Sequence, residues 1–260
     1  MNLIVSLSAG TLSWGFADRI EAENAILYGI FVFCGTFTVY NLQRIFKVTQ
    51  ASVLTPWLVW VKENQNRIII LSILSALGAV IALAVIQPVS IASILILLIT
   101  GLFGFFYVVR VGGKNLRAIP FFKIHVISIT WSLLIAVFPW IAGGSSPSVL
   151  LVFFAHYLFI LAITIPFDIR DLKFDDKSYK TIPQVLGVKR SKQLAVLLMM
   201  VYIVLIQFIF PALLSSPWFW VTMLVIIRLI TAVNEDVSDW YCAGIIDGSI
   251  GLLGLVYLLA

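Results

Sequence analysis

Four aspartates crowd into the eleven residues Pro166–Asp176, PFDIRDLKFDD, in a chain of 260 residues with only twelve acidic side chains. Asp168, Asp171 and Asp175 recur at i, i+3 and i+7, a spacing that puts them on one face of an α-helix. Asp176 points elsewhere. Three carboxylates on one face repel each other unless a positive charge offsets them. Arg170, Lys173 and Lys177 are near in sequence but project mainly from other faces. A hard divalent cation is the natural partner: Mg2+ takes oxygen ligands and is commonly held by one or two carboxylates together with substrate phosphates. The same residues also suit a solvated interfacial loop whose mixed charges only anchor it.

The elements that must position this cluster are apolar. The chain is 62% hydrophobic and 11% charged, with a mean hydropathy of +1.09. A soluble domain of this length needs many more charges on its surface. Several runs approach the ~20 apolar residues that cross a bilayer as a helix. They are continuous, without the period-two alternation of barrel strands, so a β-barrel is excluded. The class is a polytopic, all-α membrane protein. Nine apolar segments stand out: Leu3–Phe16, Ala25–Tyr40, Ile68–Ile86, Ile91–Val108, Phe122–Ala142, Val149–Ile165, Leu194–Leu214, Trp218–Val233 and Tyr241–Leu259. They predict nine transmembrane helices in a single domain over residues 1–260. The first is short for a span. No positive n-region precedes it, so a cleaved signal peptide is not expected.

The connections alternate in character. Three are short, uncharged and rich in Gly, Pro and Ser, as tight turns between antiparallel helices require. The loops over residues 41–67, 109–123 and 167–193, with Arg228, carry 16 of the 17 basic residues; Arg19 alone falls on the other side. The positive-inside rule then puts these loops and the N-terminus in the cytoplasm of a plasma-membrane-type bilayer. The net charge of +5 is thus explained by orientation and implies no nucleic-acid partner. Cys34 and Cys242 lie far apart in apolar segments and read as small packing residues rather than a disulfide or metal pair.

The stretch DIRDLKFDDKSYKTIPQVLGVKRS resembles the second aspartate motif of the UbiA superfamily of intramembrane prenyltransferases. The matching positions are Asp168, Asp171, Asp175, Lys180, Thr181, Ile182, Pro183, Leu186 and Gly187. FYVVRVGGKNLRAIPFFKIHVISITW, residues 106–131, is similar to the family's basic loop and the start of its fifth helix. The resemblance implies nine helices around a lipid-accessible cavity. At its cytoplasmic mouth Mg2+ would hold an isoprenyl diphosphate, whose prenyl group passes to a lipophilic, aromatic or other acceptor. Asp168, Asp171 and Asp175 would carry the metal. Asn41, Arg44, Lys114 and Lys123 would steady the diphosphate, with Arg110 and Arg117 in the same basic loop. Tyr107 would face an allylic cation.

The family's first motif, Asn-Asp-x-x-Asp-x-x-x-Asp, is only partly present. Asn41 matches, but Leu42, Ile45 and Thr49 occupy the aspartate positions. Three readings follow. The protein is a prenyltransferase with one metal cluster, in which Arg44 and Lys47 supply positive charge directly; or a catalytically degenerate relative that binds lipid or acts as a scaffold; or a transporter. NEDVSD, with Glu235, Asp236 and Asp239, offers either a substitute cation site or a solvated connection. Asp247, inside the last apolar segment, is either a polar clamp between helices or a substrate contact. His125 and His156 read mainly as hydrogen-bonded core residues, His156 also as an acceptor-orienting group.

Overall fold

A computed structural model describes residues 2–50, 56–86, 89–108, 119–143 and 148–260, and all regular structure among them is helical. In chain order the helices are α1 (Leu3–Arg19), α2 (Ala25–Gln50), α3 (Pro56–Glu63), α4 (Gln65–Val85), α5 (Ile91–Val108), α6 (Phe122–Ser132), α7 (Phe138–Gly143), α8 (Val149–Arg170), α9 (Ile182–Ile209), α10 (Pro217–Ala232) and α11 (Asp247–Leu259). A π-helical turn, Leu133–Val137, joins α6 to α7 without a break, and another, Tyr241–Ile246, leads into α11. Six helical stretches are long and apolar enough to cross a bilayer: Ala25–Thr49, Gln65–Val85, Phe122–Gly143, Val149–Lys173, Ile182–Ile209 and Tyr241–Leu259. The protein is an all-α integral membrane protein. Its outer surface is correspondingly greasy: Leu74, Ile81, Phe208 and Leu224 are each more than half exposed, which only a lipid environment accommodates at this density.

Each apolar segment read from the sequence falls within helical structure, but the ends differ. α9 begins at Ile182, twelve residues before the apolar run at Leu194. Its start is fixed by a capping box, in which the Thr181 backbone N–H donates to Gln184 Oε1 at 3.0 Å, and by Pro183 in the first turn. Gly187, at φ +75°, then bends the path, a backbone region that glycine enters without a Cβ penalty. The charged connection after α8 therefore ends near Thr181 rather than residue 193. Likewise α2 continues past Tyr40 through the polar residues to Gln50. Hydropathy marks the membrane-embedded part of a helix, while capping and propensity decide where it stops.

α8 runs through the middle of the molecule, and Phe159, Ile160, Ile165 and Ile169 on it are at most 2% exposed. α1 is clamped between α2 and α11. At its contact with α11 the backbones nearly touch: a Cβ on Gly254 would lie 2.5 Å from the Leu12 nitrogen, and one on Gly15 would lie 2.3 Å from the Gly254 carbonyl oxygen. Small residues allow such close helix crossings in membranes. Cys34 and Cys242 are both free and buried.

Candidate functional site

The helices enclose a cavity of ≈ 520 Å³, within the range of small-molecule sites. Its walls come from α1, α2, α5, α6, α8 and the last helix, and are mainly apolar, with Phe31, Val32, Leu97, Leu134, Ile135 and Ile160 among them. The charged groups lining it are Arg44, Lys47, Lys123, Arg170, Asp171 and Asp247.

Two helices present regular stripes to this space. On α2 the lining residues include Gly35, Thr36, Val39, Tyr40, Gln43, Arg44 and Lys47, one face at helical spacing. Arg44 and Lys47 thus reach the cavity. Asn41 does not line it: it is 3% exposed and accepts a hydrogen bond from Asn2 Nδ2 at 3.2 Å. Leu42, Ile45 and Thr49 also fall outside the lining. The residues with 0, 3, 7 spacing that do face the cavity are Tyr40, Gln43 and Lys47, none of them acidic.

On α8 the stripe is Ile160, Ile163, Thr164, Phe167, Arg170 and Asp171. Of the three aspartates singled out in the sequence, only Asp171 lies on the cavity wall among the described residues. The helix ends at Arg170, and Asp171–Lys173 form a 3-10 turn. The Asp171 carbonyl accepts the backbone N–H of Asp175 at 2.8 Å. This turn, rather than a straight helix face, brings the three carboxylates together.

They converge on Lys123, at the start of α6. Its Nζ lies 2.7 Å from Asp168 Oδ1, 3.0 Å from Asp175 Oδ2 and 3.8 Å from Asp171 Oδ2. Asp168 is 1% exposed; its Oδ1 takes the Lys123 ammonium at 2.7 Å, and its Oδ2 meets no donor among the described residues. Asp171 Oδ1 accepts from Arg170, Nε and Nη2 both at 2.8 Å, so both nitrogens converge on a single carboxylate oxygen. Asp176 is exposed. The Ser178 backbone N–H donates to it at 2.8 Å and holds its carboxyl below the usual carboxylate range.

Among the described residues no three acidic, His or Cys side chains are arranged to ligate one metal ion. The place where the sequence put Mg2+ is held by the lysine ammonium. The donor set nevertheless suits a hard cation: three carboxylates gather one positive charge, and the buried Asp168 Oδ2 meets no donor among the described residues. Binding Mg2+ there requires the ammonium to withdraw.

Tyr107 lines the cavity. Lys114, Arg110 and Arg117 lie outside the described residues. His156 is 1% exposed and away from the cavity, with Nδ1 2.9 Å from the Val152 carbonyl and the Phe16 ring edge-on at 5.0 Å. His125 Nδ1 pairs with the Tyr157 hydroxyl at 2.6 Å. In the NEDVSD stretch, Asp236 pairs with Lys173 at 2.5 Å and Asp239 with Arg170 at 3.3 Å; both carboxylates are exposed and already serve lysine and arginine. Arg170 is the functional candidate that sequence reasoning missed. Continuing the 160, 163, 164, 167 apolar stripe of α8 by one turn reaches it.

The class defined by this fold and site is an all-α integral membrane protein with an apolar internal cavity whose charged end gathers Arg44, Lys47, Lys123, Arg170 and Asp171. The chain belongs to the UbiA prenyltransferase family, whose model matches residues 62–235. That range takes in Lys123 and the aspartate cluster and begins after the α2 stripe. The whole chain is similar in fold to a UbiA homolog from Archaeoglobus fulgidus. Its structure bound to GPP and Mg2+ has a TM-score of 0.59 at 16% identity, covering 100% of this chain and 99% of that one. The DMAPP and Mg2+ complex gives the same values. A further structure of the homolog gives a TM-score of 0.65 at 16% identity, covering 99% and 96%. Among curated proteins no sequence matches the chain.

Proposed function

We propose that this protein binds an isoprenyl diphosphate and transfers its prenyl group to a lipophilic, most simply aromatic, acceptor. The observation that carries this reading is the polarity of the cavity: apolar walls large enough for a prenyl chain, with Arg44, Lys47, Lys123 and Arg170 at one end. The A. fulgidus homolog, whose structures are bound to GPP or DMAPP and Mg2+, supports the same class of ligand.

In this reading the arginines and lysines hold the diphosphate oxygens by charge-assisted hydrogen bonds. The apolar walls hold the tail and keep water from C1 as the C1–O bond breaks. The bond's electron pair leaves with the diphosphate, and positive charge fixed at the mouth stabilises it there. The acceptor bonds to C1 and gives up a proton. Tyr107 offers a π face to the developing allylic cation. Mg2+, when bound, adds charge neutralisation to the leaving diphosphate; Asp171 would hold it, with Asp168 and Asp175 behind. The topology is nine crossings in one domain over residues 1–260, with the N-terminus and the basic loops cytoplasmic, as the positive-inside rule directs.

A second reading has its own observation. No acidic residue on the α2 stripe faces the cavity, so half of an aspartate-based metal site is missing. A relative that binds a prenyl lipid without chemistry fits that loss.

Release of diphosphate from geranyl diphosphate in liposomes, with Mg2+ and a mixture of phenolic acceptors, separates the two. Mg2+-dependent release by the wild type, abolished in Asp171→Ala, supports the enzyme. Binding of the substrate with no release in either protein supports the second reading, and Asp171→Ala releasing as fast as wild type refutes the assigned role.

A further inference from the structure

Asp247 is the one charged group among the described cavity residues that stands away from the mouth. Asp239, eight residues earlier, pairs with Arg170 at 3.3 Å and marks the mouth. Asp247 lies about two helical turns further into the bundle, still within electrostatic reach of Arg170. Its presentation is specific to the local fold. The π-helical turn Tyr241–Ile246 immediately precedes it, and Ala243, Asp247 and Ile250 face the cavity. Such turns shift helix register and recur at functional sites.

The Asp247 carboxylate makes no hydrogen bond and no ion pair among the described residues. Tyr40, another cavity residue, lies within electrostatic reach of it and beside Trp131, and Arg170 is the cation that acts on it. Thr130, also on the wall, has a buried hydroxyl with no partner. A polar clamp between helices would spend the carboxylate on a neighbouring helix. Here it opens instead onto a space walled by aromatic rings, and an ionisable group in a span is retained for such a purpose.

We infer that Asp247 is a positioning residue for the acceptor: it accepts a hydrogen bond from a hydroxyl or amine of a ring seated against the Tyr40–Trp131 wall. It therefore selects acceptors that carry a donor and no negative charge. The assignment rests on the cavity reading proposed above but makes its own demand. The deep end discriminates against anionic aromatics, while the mouth takes an anion.

The test is titration of the purified protein in nanodiscs with 2-naphthol and with 6-hydroxy-2-naphthoate at pH 8.5, by calorimetry. Wild type is expected to favour the neutral naphthol by about tenfold or more, since opposed like charges cost at least that. Asp247→Asn is expected to bring the two within about threefold. An absent preference in the wild type, or one that persists in a folded Asp247→Asn, overturns the inference. The wild-type comparison decides even if the variant fails to fold. Geranyl S-thiodiphosphate, titrated separately, tests the prenyl-diphosphate reading: its failure to bind, with the naphthol preference intact, would remove that reading and leave Asp247 as a neutral-ring site.

Discussion

The ammonium of Lys123, on α6, sits 2.7 Å from Oδ1 of Asp168, on α8, and both side chains are at most 10% exposed. This pair joins two helices of the bundle at the cavity's edge. Removing one partner of a buried ion pair strands the other and costs about 3–5 kcal/mol, whereas replacing both is often neutral. Lys123→Met is therefore expected to lower the thermal midpoint in detergent sharply, and Lys123→Met with Asp168→Asn to recover part of the loss, because Asp175 also loses the ammonium 3.0 Å from it. A single variant as stable as wild type would deny that the pair matters.

Because the same ammonium stands among the carboxylates, Mg2+ and an anionic headgroup should assist each other. On the function proposed above, a diphosphate would draw Lys123 away from the aspartates, and the freed carboxylates would then bind the metal. Linkage makes that assistance reciprocal. Thermal shifts measured over a grid of Mg2+ and geranyl S-thiodiphosphate concentrations should exceed the sum of the separate shifts. A ligand at 100 times its Kd adds about 2.7 kcal/mol of apparent stability, so the excess is measurable. Strictly additive shifts would show that lysine and metal do not compete. In Asp171→Ala the excess should vanish.

Arg44 and Lys47 face the cavity, and Asn41 does not. Arg44→Gln and Lys47→Gln should each weaken binding of geranyl S-thiodiphosphate about tenfold, the worth of one hydrogen bond to a charged group, and should flatten its dependence on salt. Asn41→Ala should leave affinity within about twofold of wild type. If Asn41→Ala weakens binding as much as Arg44→Gln does, the facing of α2 is wrong.

Those three residues also show what the sequence could reveal. Continuous apolar blocks and one-sided basic loops made the helical membrane class legible, because lipid tolerates few other solutions. The aspartate spacing pointed to the end of α8, where Asp171 borders the cavity. It did not locate the wall: a 0, 3, 7 pattern says that side chains share a face, not which face the cavity uses. On α2 the motif register anchored at Asn41 pointed to 42, 45 and 49, while packing turned 40, 43, 44 and 47 inward. On α8 the helix ends at Arg170, so Asp175 reaches Lys123 through a turn that apolar periodicity does not encode. Nor does spacing couple residues 123 and 168, since that pairing arises only when α6 packs on α8.

The cavity's length is set in part by two glycines with room in front of them. Gly35 and Gly101 line it, and a Cβ on either would meet nothing within 4 Å. Gly35 lies nine residues from Arg44, about 13 Å deeper at helical rise, where the tail of a bound prenyl group would run. A side chain at Gly35 starts into open space at its Cβ, in contrast to Gly254, where even a methyl meets the Leu12 backbone at 2.5 Å. Gly254→Ala should therefore lose about 1–3 kcal/mol of stability, as overpacked sites do. Gly35→Phe should keep its thermal midpoint but lose affinity for a farnesyl diphosphate analogue, while retaining that for a dimethylallyl analogue. Equal losses for long and short chains would place the tail elsewhere, since a plug deep in the cavity obstructs only ligands long enough to reach it.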